Sequence, residues 1–404
     1  MAKAPRFLVI GGGLAGVTAA RKLRALVPAA AVTLAEAEPT PYYLRPGLIS
    51  VVAGTAELAD ITPFDTSWYE RQDIDLRTGG AVVALDLARR RVTLSSGEEL
   101  PYDRLLLATG AQAAVPPLPG THLEGVFTLR TAADAHRIRT RAPRARAAAV
   151  VGGGWLGLEV ARALRAWNLP VTVLELAPWL LPRQLDREGS QALMSVVTEM
   201  GIHVRTGVQC QELMGDQEVR GVRLTDGEQV AAELVVMAAG VRPRTVLAAE
   251  AGLHTARGIV VDDFLQTSAP DVYACGDAAE WQGRVYGIIP AAREQGELAA
   301  QNMAEPQSTP YQGTVVANRL KVVGVDLACL GETQPQGGPG AEVRTAELER
   351  GVYRKFVVRD GRLVGAILLG DPEGIAPTES LIKAGAPVED RLARLAAGDY
   401  HHLR

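Results

Sequence analysis

Cysteine is scarce in this chain, and its placement excludes a class of chemistry. The 404 residues contain three, Cys210, Cys275 and Cys329. None lies near another in sequence, and none forms a Cys-x-x-Cys motif. A dithiol relay or a disulfide framework needs paired cysteines, so neither is expected. Isolated cysteines read as small buried apolar residues. Histidine is also sparse. His122, His136, His203, His254, His401 and His402 show no metal-ligand spacing, and the last two read as a tail. No metal site is expected. Lysine occurs only at positions 3, 22, 321, 355 and 383, a bias without functional weight. The net charge is −4, with no basic stripe interleaved with aromatics, so nucleic acid is not an expected partner. No apolar run reaches a membrane span. The first strand starts too early for a signal peptide, and residues 391–397 are too short for an amphipathic anchor. The expectation is a cytoplasmic protein with no membrane partner, a monomer or homodimer.

Glycine is plentiful and marks a repeated signature. Gly11-Gly12-Gly13-Leu14-Ala15-Gly16 follows the apolar run 7–10, and Gly152-Gly153-Gly154-Trp155-Leu156-Gly157 follows the run 147–151. A helical pattern comes next in each, then a strand ending in an acid, Glu36 or Glu175. The first glycine allows a tight turn, the second lets backbone approach a pyrophosphate, and the third lets helix and strand pack closely. The pyrophosphate then faces a helix N-terminus, and the acid is spaced to accept ribose hydroxyls. One such motif is weak; two in the same context are strong. Two dinucleotides in one chain suggest electron transfer between them. Glu175 repels a 2′-phosphate, and Leu176-Ala177-Pro178-Trp179 offers no cation, although Arg183 follows, so NADH is favoured over NADPH.

The remaining pattern implies an α/β protein. It has two Rossmann-like dinucleotide-binding domains of three-layer ββα type and a C-terminal mixed α/β domain. Residues 78–100 read as a small antiparallel piece, 104–108 as a buried parallel strand, and 115–120 as a Pro-rich linker. Each unit ends in an apolar strand, a small residue and glycine, at Ala108-Thr109-Gly110 and Ala239-Gly240. The strand before Cys275-Gly276-Asp277 has no counterpart in the second unit. It is expected to return to the first sheet, making the second domain an insertion. The expected domains are 1–112 with 241–312, 113–240, and 313–404. The last should hold strands around 319–323, 353–358 and 363–369, with an Asp360-Gly361 hairpin turn. Residues 333–340 should form a loop, and a closing helix should start at residue 378.

With these pieces placed, the chain resembles the FAD-dependent pyridine nucleotide-disulfide oxidoreductase superfamily, and within it the rubredoxin reductase and nitrite reductase NADH-domain group. The resemblance spans about residues 7–382. Its motifs are the two glycine signatures, Ala108-Thr109-Gly110, Ala239-Gly240-Val241-Arg242-Pro243 and Cys275-Gly276-Asp277. More specific to the group are Pro41-Tyr42-Tyr43-Leu44-Arg45-Pro46, Leu129-Arg130-Thr131, Leu320-Lys321-Val322 and Leu369-Gly370-Asp371. The resemblance implies a tight, non-covalent FAD on the first unit, with Gly11, Gly13, Leu14, Ala15, Gly16 and Glu36. Arg45, Ala108, Thr109, Gly110, Arg130, Gly276, Asp277, Ala292 and Lys321 would complete that site, Asp277 on the ribityl chain. It implies NADH on the second unit, with Gly152, Gly154, Trp155, Leu156, Gly157, Glu159, Glu175 and Gly240, Glu159 towards the nicotinamide end. Simpler readings stay open: surface charges for Arg45 and Arg130, a dipole-favoured helix acid for Glu159, a solvated strand face for Lys321.

Disulfide-reducing relatives carry a redox cysteine where this chain has residues 44–52, which contain none. Some electron-transfer relatives place a lysine where Ile49-Ser50 stands. The resemblance therefore implies electrons passing from NADH through flavin N5 to a small iron-sulfur or rubredoxin-type protein, with no side chain as catalyst. Positive charge from Arg45, Arg130, Lys321 or a helix end at Gln295-Gly296 would favour the reduced flavin. Alternatives are the ferredoxin reductase component of an oxygenase, the NADH-binding subunit of nitrite reductase, an NADH oxidase using dioxygen, and a non-enzymatic redox switch like apoptosis-inducing factor.

Overall fold

The computed structural model describes residues 4–314, 318–333 and 341–401. Two five-stranded parallel sheets repeat one layout. In the first, Arg6–Ile10 lies between Ala31–Glu36 and Arg104–Leu107, with Asp75–Thr78 and Val272–Ala274 outside. In the second, Ala148–Val151 lies between Val171–Glu175 and Leu234–Met237, with Ile202–Thr206 and Val126–Phe127 outside. The central strands are buried, which explains their unbroken apolar runs. A three-stranded antiparallel sheet accompanies each, Val82–Asp86 with Arg91–Leu94 and Glu99–Pro101, and Cys210–Gly215 with Val219–Leu224 and Gln229–Ala231. With helices as the remaining layer, this is the expected ββα architecture.

The helix Leu14–Leu26 packs on Ile289–Ala304 through small residues. A Cβ added at Gly296 would lie 2.5 Å from the Ala15 carbonyl oxygen, so glycine sets how closely these helices approach.

Two expectations change. The strand Val272–Ala274 pairs with Arg104–Leu107, but it does have a counterpart. Val126–Phe127 pairs with Leu234–Met237 at the equivalent position, and two residues are too few to show periodicity. The closing helix does not start at residue 378. It runs Pro372–Ala384 and ends there against Gly385 in a left-handed cap. Pro377 sits inside the helix, whose buried residues Ile375, Thr378 and Leu381 recur on one face. The hydrophobic cores cross the chain segments. Tyr43, Leu48, Ile49, Val51, Val52 and Ile61, from the first segment, pack with Leu158, Leu164 and Val173 of the second domain.

The C-terminal sheet is antiparallel, ordered Asn318–Val322, Val325–Gly331, Arg362–Leu369, Val352–Arg359, Ala341–Glu347. Its period-2 alternation serves two partners. Leu327, Cys329, Tyr353, Ile367 and Leu369 face the second nucleotide domain, while Ala328, Leu330, Phe356, Ala366 and Leu368 face the helix Pro372–Ala384. Lys355, on the former face, is 3% exposed and pairs with Asp186 and Glu342 at 3.4 and 3.2 Å. The segment expected as a loop at 333–340 lies, beyond Thr333, outside the described residues, as does His402.

On the helix side, buried Asp371 accepts from Arg354 Nε and Tyr400 OH. Arg354→Met leaves that carboxylate without its counter-charge and should destabilise the C-terminal domain by about 3–5 kcal/mol. Thermal unfolding of Arg354→Met against Arg354→Met/Asp371→Leu checks this. The double variant should recover most of the loss, and no recovery would show that charge pairing is not the cause.

Candidate functional site

The two glycine turns are near-copies. Gly11 and Gly152 hold φ of +106° and +117°, and an added Cβ would strike the carbonyl oxygens of Ala108 and Ala238 at 2.2 and 2.4 Å. At Gly16 and Gly157 the Cβ would lie 1.9 Å from the Gly11 and Gly152 oxygens. Only glycine permits this closeness of strand, turn and helix. Gly13 and Gly154 differ. A Cβ there meets nothing within 4 Å, because it points into open space before the helices Leu14–Leu26 and Trp155–Arg165. Neither helix has a side-chain cap, so first-turn N–H groups are left for an acceptor such as a pyrophosphate. Leu14 and Ala15, and Trp155 and Leu156, form those first turns.

Each acid is held by its own turn. Glu36 accepts from the N–H of Gly12 and, at 2.8 Å, of Glu38. Glu175 accepts from Gly153 at 2.5 Å and Ala177 at 2.7 Å. Main chain thus fixes both carboxylates beside the cradles, and a carboxylate so held retains lone pairs for ribose hydroxyls.

The first cradle is extended by distant segments. Gly276 turns with φ +71°, and its added Cβ would lie 3.0 Å from the Ala15 and 3.9 Å from the Ala292 methyl. Its N–H donates to Gln295 Oε1 at 2.8 Å. Asp277 pairs with Arg130 Nη2 at 2.7 Å, and Arg130 Nε donates to the Ala111 carbonyl. Gly110 lies alongside, 4.0 Å from that guanidinium when its Cβ is built. Arg45 Nη1 donates to the Arg130 carbonyl at 2.6 Å and faces Glu38 at 3.7 Å. Arg130 is set by its chain position, because Thr131 and Asp134 form a reciprocal cap starting the helix Ala132–Arg141. Thr109 donates to the Arg244 carbonyl across the return crossing, where Ala111–Ala113 pairs with Val241–Pro243.

A cleft runs from Gly12, Gly13 and Glu36 past Thr40 and Tyr43 to Arg45. The Thr40 hydroxyl is buried there with no partner among the described residues, and Tyr43 OH donates to Glu38 at 2.7 Å. An unpaired hydroxyl, two cations and a bare helix terminus fit a phosphate- and hydroxyl-bearing cofactor such as FAD. Glu38 and Thr40 were not singled out from sequence.

The other expected residues have their own partners. Lys321 is brought against the second signature, its carbonyl accepting from Trp155 Nε1 at 3.0 Å. Glu159 is buried, accepting from Val323 N at 2.7 Å and Arg162 Nη2 at 2.8 Å. Gly240 turns with φ +99°, its carbonyl accepting from Ala114 N. Gln295 and Gly296 are not a helix end, because that helix begins at Ile289. All three cysteines are buried and free. Burial pushes the Cys275 and Cys329 thiols up to about 12 and Cys210 up to about 11. Cys275 adjoins the Gly276 turn, yet its side chain lies in the core.

Residues 5–296 match the family model for pyridine nucleotide-disulphide oxidoreductases. The chain belongs to that family. Residues 317–386 match the rubredoxin NAD+ reductase C-terminal domain. The chain is 36% identical over 386 residues to a nitrite reductase (NAD(P)H) of Bacillus subtilis, covering 95% of this chain and 48% of that protein. It is 33% identical over 394 residues to the chlorobenzene dioxygenase ferredoxin reductase component of a Cupriavidus strain, covering 96% and 94%. The crystal structure of NADH:rubredoxin oxidoreductase from Clostridium acetobutylicum superposes with a TM-score of 0.81 at 27% identity, covering 96% and 98%. The chain spans about half or less of the nitrite and nitrate reductase relatives it matches. Among the described residues, no helix is long and apolar enough to cross a membrane, and no His, Cys, Asp and Glu cluster could hold a metal ion.

Gly13→Val and Gly154→Val separate the cradles, since both positions have ordinary backbone angles and room for a side chain. Gly13→Val should purify without flavin colour. Gly154→Val should stay yellow but require at least about tenfold more NADH. Identical behaviour of the two variants would refute the division of roles.

Proposed function

We propose that the chain oxidises NADH and delivers the electrons to a small iron-sulfur or rubredoxin-type protein. The observation that carries this reading is the inequality of the two cradles. The first is extended by Gly276, Asp277, Arg130 and Arg45, which suits a resident FAD. The second is built around its own turn and Glu175, which suits a dinucleotide that comes and goes. Bound in the first cradle, FAD supplies the redox chemistry, accepting a hydride and releasing electrons singly.

The protein's part is binding, orientation and charge. Uncapped first-turn N–H groups at Leu14 and Ala15 receive the pyrophosphate, with Glu36 on the adenosine ribose. Asp277 accepts from ribityl hydroxyls while Arg130 holds it in place. Arg45 and Arg130, each paired with an acid, bring guanidinium groups to the cleft for an electron-rich cofactor. No thiol takes part, since all three cysteines are buried with raised pKa values.

The second site prefers NADH. Main chain orients the Glu175 carboxylate, and the next side chain, Leu176, is 66% exposed and apolar where a phosphate would need a cation. A second reading, the NADH-oxidising portion of a nitrite-reducing enzyme, is favoured by the 36% identity over 95% of the chain. Both share the same NADH half-reaction.

Stopped-flow mixing tests the reading. NADH should bleach the flavin, and rubredoxin or a [2Fe–2S] ferredoxin should restore it faster than dioxygen does. Fastest reoxidation by dioxygen would overturn the carrier assignment. Glu175→Ala should raise KM for NADH about tenfold and narrow the preference over NADPH. Unchanged NADH kinetics would remove Glu175 from the site.

A further inference from the structure

The C-terminal strands Asn318–Val322 and Val325–Gly331 join through a two-residue turn, Val323-Gly324. Both residues are left-handed, with φ of +47° and +88°. Such turns favour Asn-Gly or Asp-Gly, because a β-branched side chain crowds its own backbone at positive φ. The other hairpin of this sheet follows the preference, with Asp360 at +50° and Gly361 at +71°. Val323 departs from it, and such strain persists only where its surroundings enforce it.

The enforcing contacts belong to the second nucleotide domain. Val322 and Val323 are 0% and 1% exposed within that domain's core. The Val323 N–H donates to Glu159, and the Lys321 carbonyl receives the Trp155 indole N–H. Trp155 and Glu159 lie four residues apart, on one face of the helix that opens at Gly154. Glu159 is 5% exposed, so its carboxylate needs a partner for each oxygen. Arg162 serves one and the hairpin tip serves the other.

We propose that this hairpin tip is a positioning element of the NADH site, with Val323 as its anchor. The C-terminal domain lends main-chain atoms to the second cradle and holds Trp155 and Glu159 for the dinucleotide beyond its pyrophosphate. The proposal rests on NADH occupying that cradle. Since linkage is reciprocal, NADH binding and seating of the tip stabilise each other.

The test uses the holoenzyme with ferricyanide as acceptor. Val323→Asn suits the turn but loses the apolar anchor. It should raise KM for NADH about fivefold while kcat changes less than about twofold. Its visible flavin spectrum should match the wild type. In the wild type, saturating NAD+ should slow hydrogen exchange of the Val323 amide. Glu159→Leu should abolish that protection, and Glu159→Gln, which still offers an acceptor oxygen, should largely retain it. These two variants carry the test if Val323→Asn fails to fold. Normal bleaching by NADH with a Val323 amide indifferent to NAD+ would overturn this proposal alone. Failure of NADH to bleach the wild-type flavin would overturn the functional reading and this proposal with it.

Discussion

The ion pair between Arg130 and Asp277 joins equivalent ends of two equivalent sheets. Asp277 follows the strand Val272–Ala274, which flanks the first parallel sheet, and Arg130 follows Val126–Phe127, which flanks the second. A duplicated fold has two such ends, and here they meet across the domain boundary with opposite charges. Ligands of open α/β sheets gather at the carboxyl ends of strands, so the pair stands where both nucleotide sites look for contacts. Arg45 extends the link by donating to the Arg130 carbonyl, and Tyr43 with Glu38 reaches the start of the next helix at Ala132. The same residues that line the first cleft therefore set the relation of the two domains.

That arrangement explains why the first segment shares a core with the second domain. The excursion carrying Tyr43 and Arg45 continues through Leu48, Val51 and Val52, which fill space against Leu158 and Leu164. Trp167 closes it, donating its indole N–H to the Val52 carbonyl at 2.8 Å. In this segment the family's disulfide-reducing branch would need a reactive sulfur. Here it is a short apolar helix whose role is packing.

Sequence showed most where the cause is local. A carbonyl two ångströms from a missing Cβ leaves only glycine, so Gly11, Gly16, Gly152 and Gly157 could be read directly. The acids Glu36 and Glu175 were legible because strand length fixes their distance from the turn. Tertiary features were not. Val126–Phe127 is too short to announce itself, and the helix around Pro377 is held by packing of Ile375 and Leu381. One partner of Glu159, Val323, comes from 164 residues away. Thr40 is informative only because nothing among the described residues answers its hydroxyl.

The buried thiols have a practical consequence. Burial raises all three pKa values, so the thiols stay protonated at neutral pH, and none is exposed. The same burial shields each sulfur from maleimides and spin-label reagents. One cysteine placed on its surface becomes a single addressable point, and a series of them could trace which face an electron carrier approaches without first stripping the protein of its own sulfur.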